Sequence, residues 1–362
     1  MSHPFPQMKK NLAFGMMRLP MIGDRVDEAQ VCQMVDRFLE AGFNYFDTAH
    51  GYIGGLSEEA VRTCLTSRHP RESYVLTNKL TPGCYEKEEE ILPLFEQQLK
   101  ICGVDYFDFY LLHANTASRH EFFKKTRSYE IAQELKAAGK VRHVGMSFHD
   151  TAEVLDHILT EQPEIEIVQL QFNYADYVDP NVQSRACYEV CQKHGKKVLV
   201  MEPVKGGSLV NLPQEILEEM APMSPASYAI RFAASFEDIV MVLSGMSTLE
   251  QMEDNVGFMQ DFQPLTQAEY GIIDHARTAF QAQHRIPCTA CRYCTDGCPA
   301  SIDIPELFAI LNDQRQKKED APSRYATQTV QADACLECGQ CEQVCPQHLH
   351  IRELLKEVHK AF

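Results

Sequence analysis

Three ionisable side chains close short apolar runs early in this 362-residue chain, and a fourth follows one of them in a loop. The stretch FNYFDTAHGY, Phe43–Tyr52, reads as a strand through Phe43, Tyr45 and Phe46. It then becomes a loop that opens at Thr48 and contains Gly51. Asp47 therefore stands near the C-terminal end of a strand, and the phenol of Tyr52 follows five residues later, in the loop above it. Lys79 ends the run YVLTNKL and His113 ends FYLLHA. A lysine or histidine that closes an apolar strand is taken from water and needs a partner. A carboxylate, a phenol, an ammonium and an imidazole make an acid–base set, provided that their strands open onto one mouth.

The elements around them supply that mouth. From residue 12 to about 262 a short apolar strand, a loop and an amphipathic helix recur. Strands are expected at 12–17, 43–48, 74–80, 107–113, 141–147, 167–172, 197–202 and 239–245. The clearest helix is Asp27–Ala41, with Val31, Met34, Val35, Phe38 and Leu39 on one face. Others begin near Ser57, Tyr85, Lys124, Thr151, Asn181, Ser224 and Thr248, and Ser224-Pro225 reads as an N-cap followed by proline at the first helical position. Eight strands alternating with helices point to an α/β fold, a (β/α)8 TIM barrel, with chemistry at the C-terminal strand ends. An open doubly wound sheet is the runner-up, but it prefers a Gly-rich phosphate turn after its first strand, and Gly15-Met16-Met17-Arg18 is not one.

Asp47, Tyr52, Lys79 and His113, in order at successive strand ends, resemble the catalytic tetrad of the aldo-keto reductases. The resemblance spans the whole barrel. It implies interconversion of a carbonyl and an alcohol, with Tyr52 as proton donor, Asp47 paired to Lys79, and His113 orienting the substrate oxygen. A free tyrosine titrates near ~10, so a neighbouring ammonium is expected to lower the Tyr52 pKa. The family draws its hydride from NAD(P)H lying across the barrel mouth. By resemblance, Ser147 and Gln169 hold the carboxamide, and Met201, Pro203, Val204, Lys205 and Gly206, in MEPVKGG, meet the ring and pyrophosphate. Lys205 reads equally as a solvated loop lysine. Asn255 is the expected adenine contact. Gly245 and Gln251 stand where NADPH-preferring relatives carry a lysine and an arginine, so NADPH preference is expected to be weak and NADH usable.

Two cysteine runs follow the barrel. CTACRYCTDGCP holds Cys288, Cys291, Cys294 and Cys298, and CLECGQCEQVCP holds Cys335, Cys338, Cys341 and Cys345. Each is C-x2-C-x2-C-x3-C-P, the run of bacterial ferredoxins, in which the fourth cysteine ligates the other cluster. One 4Fe–4S cluster then takes Cys288, Cys291, Cys294 and Cys345, and the second takes Cys335, Cys338, Cys341 and Cys298. Zinc is the alternative, but zinc sites use pairs of C-x2-4-C. The six other cysteines, Cys187 and Cys191 among them, read as reduced core residues. The expected organisation is a barrel over 1–262, a helical connector over 263–287 and a small α-helical ferredoxin-like domain over 288–362. Within the last, a short helix carries Ile304, Leu307, Phe308 and Leu311, QRQKKEDAPSRY is a charged solvated loop, and a tail helix presents Leu354, Leu355 and Val358.

Acids outnumber bases 51 to 34, for a formal charge of -17. Such a surface repels nucleic acid and anionic lipid, so neither is an expected partner. No apolar run approaches the ~18 residues of a membrane span, and a cytoplasmic location is expected. The expected partners are a small-molecule carbonyl substrate and a redox protein for the clusters. The clusters either relay electrons or tie down a domain with little core of its own. A functional alternative is an electron-transfer or nucleotide-sensing interaction protein that keeps the barrel as a scaffold. Residues 114–130, with Arg119, Phe122 and Phe123, are expected over the barrel mouth, and His143, His194, His348 and His350 read as surface or packing residues.

Overall fold

The computed structural model describes residues 5–362. Eight parallel strands close into a barrel in chain order: β1 (Leu12–Gly15), β2 (Tyr45–Asp47), β3 (Val75–Leu80), β4 (Phe107–Asn115), β5 (Val141–Phe148), β6 (Ile167–Gln171), β7 (Lys197–Met201) and β8 (Ile239–Ser244). A two-stranded antiparallel ribbon, Met21–Ile22 with Arg25–Val26, lies in the first loop. Every expected barrel strand is present, most of them a residue or two shorter at an end. Ala13, Tyr45, Phe109, Leu111, Ile167 and Leu199 fill the barrel interior. The opposite faces of the strands pack against the surrounding helices. Strands buried on both faces lose the polar–apolar alternation, which is why they read as continuous apolar runs.

Local signals fix the helices. Helix Pro225–Ala234 starts as expected: the Ser224 hydroxyl accepts from the Ser227 N–H, and Pro225 takes the first turn. The single helix expected near Lys124 is two, Ala117–Lys125 and Ser128–Ala137, because Arg127 turns left-handed at φ 52° between them. Cys187 and Cys191 lie buried and free on helix Ser184–Lys193. Helix Gln267–Ala282 buries Ile273 and Ala276 in the barrel's own core.

A second core begins at Ile286. Helix Ile304–Arg315 supplies Ile304, Leu307, Phe308, Ile310 and Leu311 to it, and helix Ile351–Ala361 supplies Ile351, Leu355 and Val358. The charged stretch expected to be a solvated loop is helical over Ala321–Ala326. Its Arg324 bridges Asp313 at 2.6 Å and Glu306 at 2.8 Å, so the charges form a network. No helix among the described residues is long and apolar enough to cross a membrane.

Candidate active site

β1, β2 and β3 run in register, so that Asp47 lies beside Gly15 and Thr77, and Lys79 lies beside Leu111 of β4. Asp47 and Lys79 are both buried, and the Lys79 ammonium meets Asp47 Oδ1 at 2.6 Å and the Thr48 carbonyl at 2.8 Å. Gln169 Nε2 donates to the other carboxylate oxygen at 3.4 Å. Burial pulls the Asp47 pKa up and the Lys79 pKa down, each opposed by the partner's charge. Lys79 Nζ lies 4.8 Å from the centroid of the Tyr52 ring, a cation–π contact against the face of the ring. The loop that lifts Tyr52 into place puts Ile53 at φ 53°, a strained conformation for a β-branched residue.

The expected lowering of the Tyr52 pKa is not what this geometry gives. Burial raises it well above the ordinary phenol value, the Asp47 charge raises it further, and Lys79 is spent on Asp47. Tyr52 is thereby held as the protonated phenol. His113 comes from an irregularity in β4, where the pairing register with β5 shifts between Leu112 and Asn115 and Ala114 has φ 54°. Its Nδ1 lies 2.8 Å from the Thr81 hydroxyl, and burial, then Lys79, pushes its pKa well below the imidazole range. The neutral ring stands edge-on to Tyr52 with centroids 5.8 Å apart.

The second ring nitrogen of His113 is met by a residue outside the barrel. The hydroxyl of Tyr293 lies 3.3 Å from His113 Nε2 and interacts with the Tyr52 hydroxyl as well. Tyr293 sits in Cys-Arg-Tyr-Cys, between Cys291 and Cys294. Sequence reasoning missed it; the available signal was an aromatic residue wedged between two candidate cluster ligands.

A cleft of about 520 Å³ opens from Tyr52 across the ends of the strands. Of the residues expected at the nucleotide, Gln169, Met201, Pro203, Val204, Gly206 and Asn255 line it, as do Gly245 and Gln251. Ser147 does not: its hydroxyl accepts the Ala114 N–H at 2.7 Å. Lys205 is neither a cleft residue nor a solvated one. It is buried, with Nζ 2.5 Å from Asp176 and 2.9 Å from Gln347. Gly206 approaches the C-terminal segment so closely that a Cβ there would meet the Thr289 carbonyl at 2.6 Å. Glu202, also missed, takes φ 54° and accepts from Thr289 Oγ1 at 3.0 Å and from Gln347 Nε2 at 3.1 Å. Arg18 donates to the Thr289 carbonyl from the other wall. A buried polar seam thus fastens the C-terminal segment over the mouth of the barrel.

The cysteines converge in two sets. Cys288, Cys291, Cys294 and Cys345 line one small cavity with Phe308 and Ile351, and Cys298, Cys335, Cys338 and Cys341 line another with Ile302 and Leu355. None forms a disulfide, and each set draws its fourth member from the other run. Two tetrads of sulfur donors in apolar surroundings fit a pair of 4Fe–4S clusters. Cys291 also lines the large cleft, together with Tyr293 and Pro346.

Comparison with known proteins places this geometry. Residues 11–278 match the model of the aldo/keto reductase family, and residues 287–349 match a 4Fe-4S dicluster domain. Curated relatives include the NADH-specific methylglyoxal reductase of Escherichia coli (strain K12), 25% identical over 279 residues, covering 63% of this chain and 82% of the relative. The 9,11-endoperoxide prostaglandin H2 reductase of Trypanosoma cruzi (strain CL Brener) is 28% identical over 229 residues, covering 59% of this chain and 74% of the relative. Among solved structures, the holo form of an aldo-keto reductase from Bacillus halodurans superposes with a TM-score of 0.62 at 24% identity, covering 76% of this chain and 95% of that one. An aldo-keto reductase from Klebsiella pneumoniae in complex with NADPH gives 0.61 at 19% identity, over 74% and 94%. At these identities the superpositions speak for the fold.

Proposed function

The chain belongs to the aldo/keto reductase family and carries a dicluster iron–sulfur domain after its barrel, and from that premise we propose how it works. The enzyme interconverts a carbonyl and an alcohol by hydride transfer, in a barrel unit over 1–262 joined through 263–287 to a cluster unit over 288–362. The observation that carries this reading is the buried Lys79–Asp47 pair beneath the ring of Tyr52, on the floor of the large cleft. Gln169, Met201, Pro203, Val204, Gly206 and Asn255 are the contacts for a nicotinamide dinucleotide, which supplies the hydride when bound. Tyr52 holds the proton at its hydroxyl until charge develops on the substrate oxygen. Asp47 keeps Lys79 beneath the phenol ring, and the buried walls exclude water.

NADH is the expected cofactor. Among the described residues, Arg18 is the only lysine or arginine on the cleft lining, and Glu202, Glu250 and Asp254 share that lining. A dianionic 2′-phosphate finds no free guanidinium fork there. The NADH-specific character in the name of the Escherichia coli relative agrees with this. The two cysteine tetrads hold the clusters, which supply single electrons when bound. The position of Cys291 on the cleft wall favours a redox role over a purely structural one.

The test is anaerobic purification with iron and sulfide counted, followed by NADH and NADPH oxidation over aldehydes and ketones. Nucleotide-dependent reduction that is lost in Tyr52→Phe supports the reading. Saturable nucleotide binding without turnover on any carbonyl would return the barrel to the role of a scaffold, and tight NADPH binding beside weak NADH binding would overturn the preference.

A further inference from the structure

On the reductase reading, a substrate carbonyl puts its oxygen where the Tyr52 hydroxyl and His113 Nε2 can both reach it. In this structure another oxygen is there. The Tyr293 hydroxyl lies 3.3 Å from His113 Nε2 and meets the Tyr52 hydroxyl too. The Tyr293 and His113 rings stand edge to face, with centroids 6.1 Å apart. Two oxygens cannot share one place, so no carbonyl reacts until this phenol leaves.

The ring has somewhere to go. A second cavity, of about 310 Å³, lies at the seam between the barrel and the C-terminal segment. Tyr293 walls both this cavity and the large cleft, and is only half-buried. The space exceeds a phenol ring. Its lining includes Thr116, Ser118, Asp150, Glu342 and His348, which offer partners for a hydroxyl. The backbone has less freedom than the side chain. Cys291 and Cys294 flank Tyr293 and belong to one cysteine set, and the adjoining Arg292 pairs with Asp303 at 2.6 Å. Withdrawal is therefore a rotation of the side chain about its own bonds.

We propose that Tyr293 is a gate on the carbonyl position. Shut, its hydroxyl holds Tyr52 and His113; open, its ring lies in the second cavity and the carbonyl oxygen takes the place it leaves. This rests on the reductase reading of the site. The gate makes and breaks no covalent bond, so the hydride and proton transfers of that reading stand unchanged. A site that is open for a fraction of the time loses apparent affinity by that fraction, so a gate shut about nine-tenths of the time weakens binding about tenfold. Access to the barrel's chemistry is thus set by a side chain of the cluster segment.

The experiment uses the full holoprotein, with its visible iron–sulfur absorption as the check on folding. Tyr293→Phe keeps the ring and removes the hydroxyl that holds the gate shut. Ser118→Trp puts a large ring on the exposed rim of the second cavity and fills the space that the gate needs. Acetate, an unreactive probe of the carbonyl position, is titrated by calorimetry into each protein with saturating NAD+. Tyr293→Phe is expected to bind it about tenfold more tightly than wild type, and Ser118→Trp about tenfold more weakly. In aldehyde reduction KM is expected to move by the same factors, with kcat of Tyr293→Phe no lower than wild type. A fall of kcat in Tyr293→Phe at unchanged KM would make Tyr293 a donor to the carbonyl oxygen and overturns the gate. So do equal acetate affinities across the three proteins, or no acetate binding by any of them. Ser118→Trp decides alone if Tyr293→Phe does not hold its clusters. Acetate affinities that move as expected, without reduction of any carbonyl, keep the gate and remove the reductase reading.

Discussion

Lys79 is enclosed on all sides and satisfied by one carboxylate and one carbonyl oxygen. Truncating one partner of a buried ion pair leaves the other charge stranded, at a cost of about 3–5 kcal/mol. Lys79→Met should therefore lower the unfolding midpoint of the holoprotein far more than the double change Asp47→Asn with Lys79→Met, a comparison that calorimetry can make. Tyr52→Phe should leave folding and nucleotide binding near wild type while turnover falls by roughly 10²–10⁴, as expected for loss of a general acid; stopped-flow oxidation of the reduced nucleotide would measure it. The strand-end positions of Asp47, Lys79 and His113 were legible because a charged residue that closes an apolar run announces itself. The fate of Lys205 was not. Its partners are Asp176 and Gln347, 29 and 142 residues away, and no local pattern reports a partner at that separation. The direction of the Tyr52 pKa shift was not legible for a related reason. Nearness to a cation was readable, but the burial that outweighs it was not.

At the scale of elements, the loop after β2 carries a titrating contact. His50 Nδ1 lies 2.7 Å from Glu58, a buried carboxylate that also accepts from Asn78 at 2.7 Å. The hydrogen bond to Glu58 raises the His50 pKa. A raised folded-state value contributes stability that is complete below the unfolded value of ~6.5 and is lost as pH climbs through the folded one. Wild type should exceed His50→Gln in thermal stability at about pH 6, and the gap should shrink by about pH 9. The loop after β7 offers a contrast between neighbours. Gly206 and Gly207 have φ 63° and 92°, but a Cβ on Gly206 would strike the Thr289 backbone while one on Gly207 meets nothing within 4 Å. Gly207→Ala should cost only the backbone term, roughly 1–2 kcal/mol. Gly206→Ala should in addition push the C-terminal segment off the barrel, seen as faster amide exchange over 286–294. The strand count and order were legible from the apolar period. The division near Lys124 was not, because Arg127 adopts its left-handed turn without a glycine to signal it.

The whole molecule is a barrel with a lid bolted across its mouth by Glu202, Lys205, Gln347, Thr289 and Arg18. The two cysteine runs were plain in the sequence, and so was their exchange of fourth members. What spacing could not say is which face of the barrel they meet. The small second core draws its cohesion from few apolar side chains, so the tetrads hold much of it together. Anaerobic treatment of the protein with an iron chelator should release protection from amide exchange throughout 286–362 while helices such as Glu28–Glu40 stay protected. Uniform protection after complete iron loss would show that the second core stands without metal.

Tyr293 hangs from the backbone between Cys291 and Cys294 and reaches down to Tyr52 and His113. The wall of the proposed reaction chamber is thus strung on the same few peptide bonds as two cysteines of the proposed cluster site. Oxygen damage that dismantles the cofactor nest would also unroof the chamber, and a freshly translated chain would gain its finished pocket only after iron and sulfide are delivered. On the proposed reading, maturation and competence would become one event, set by metal supply.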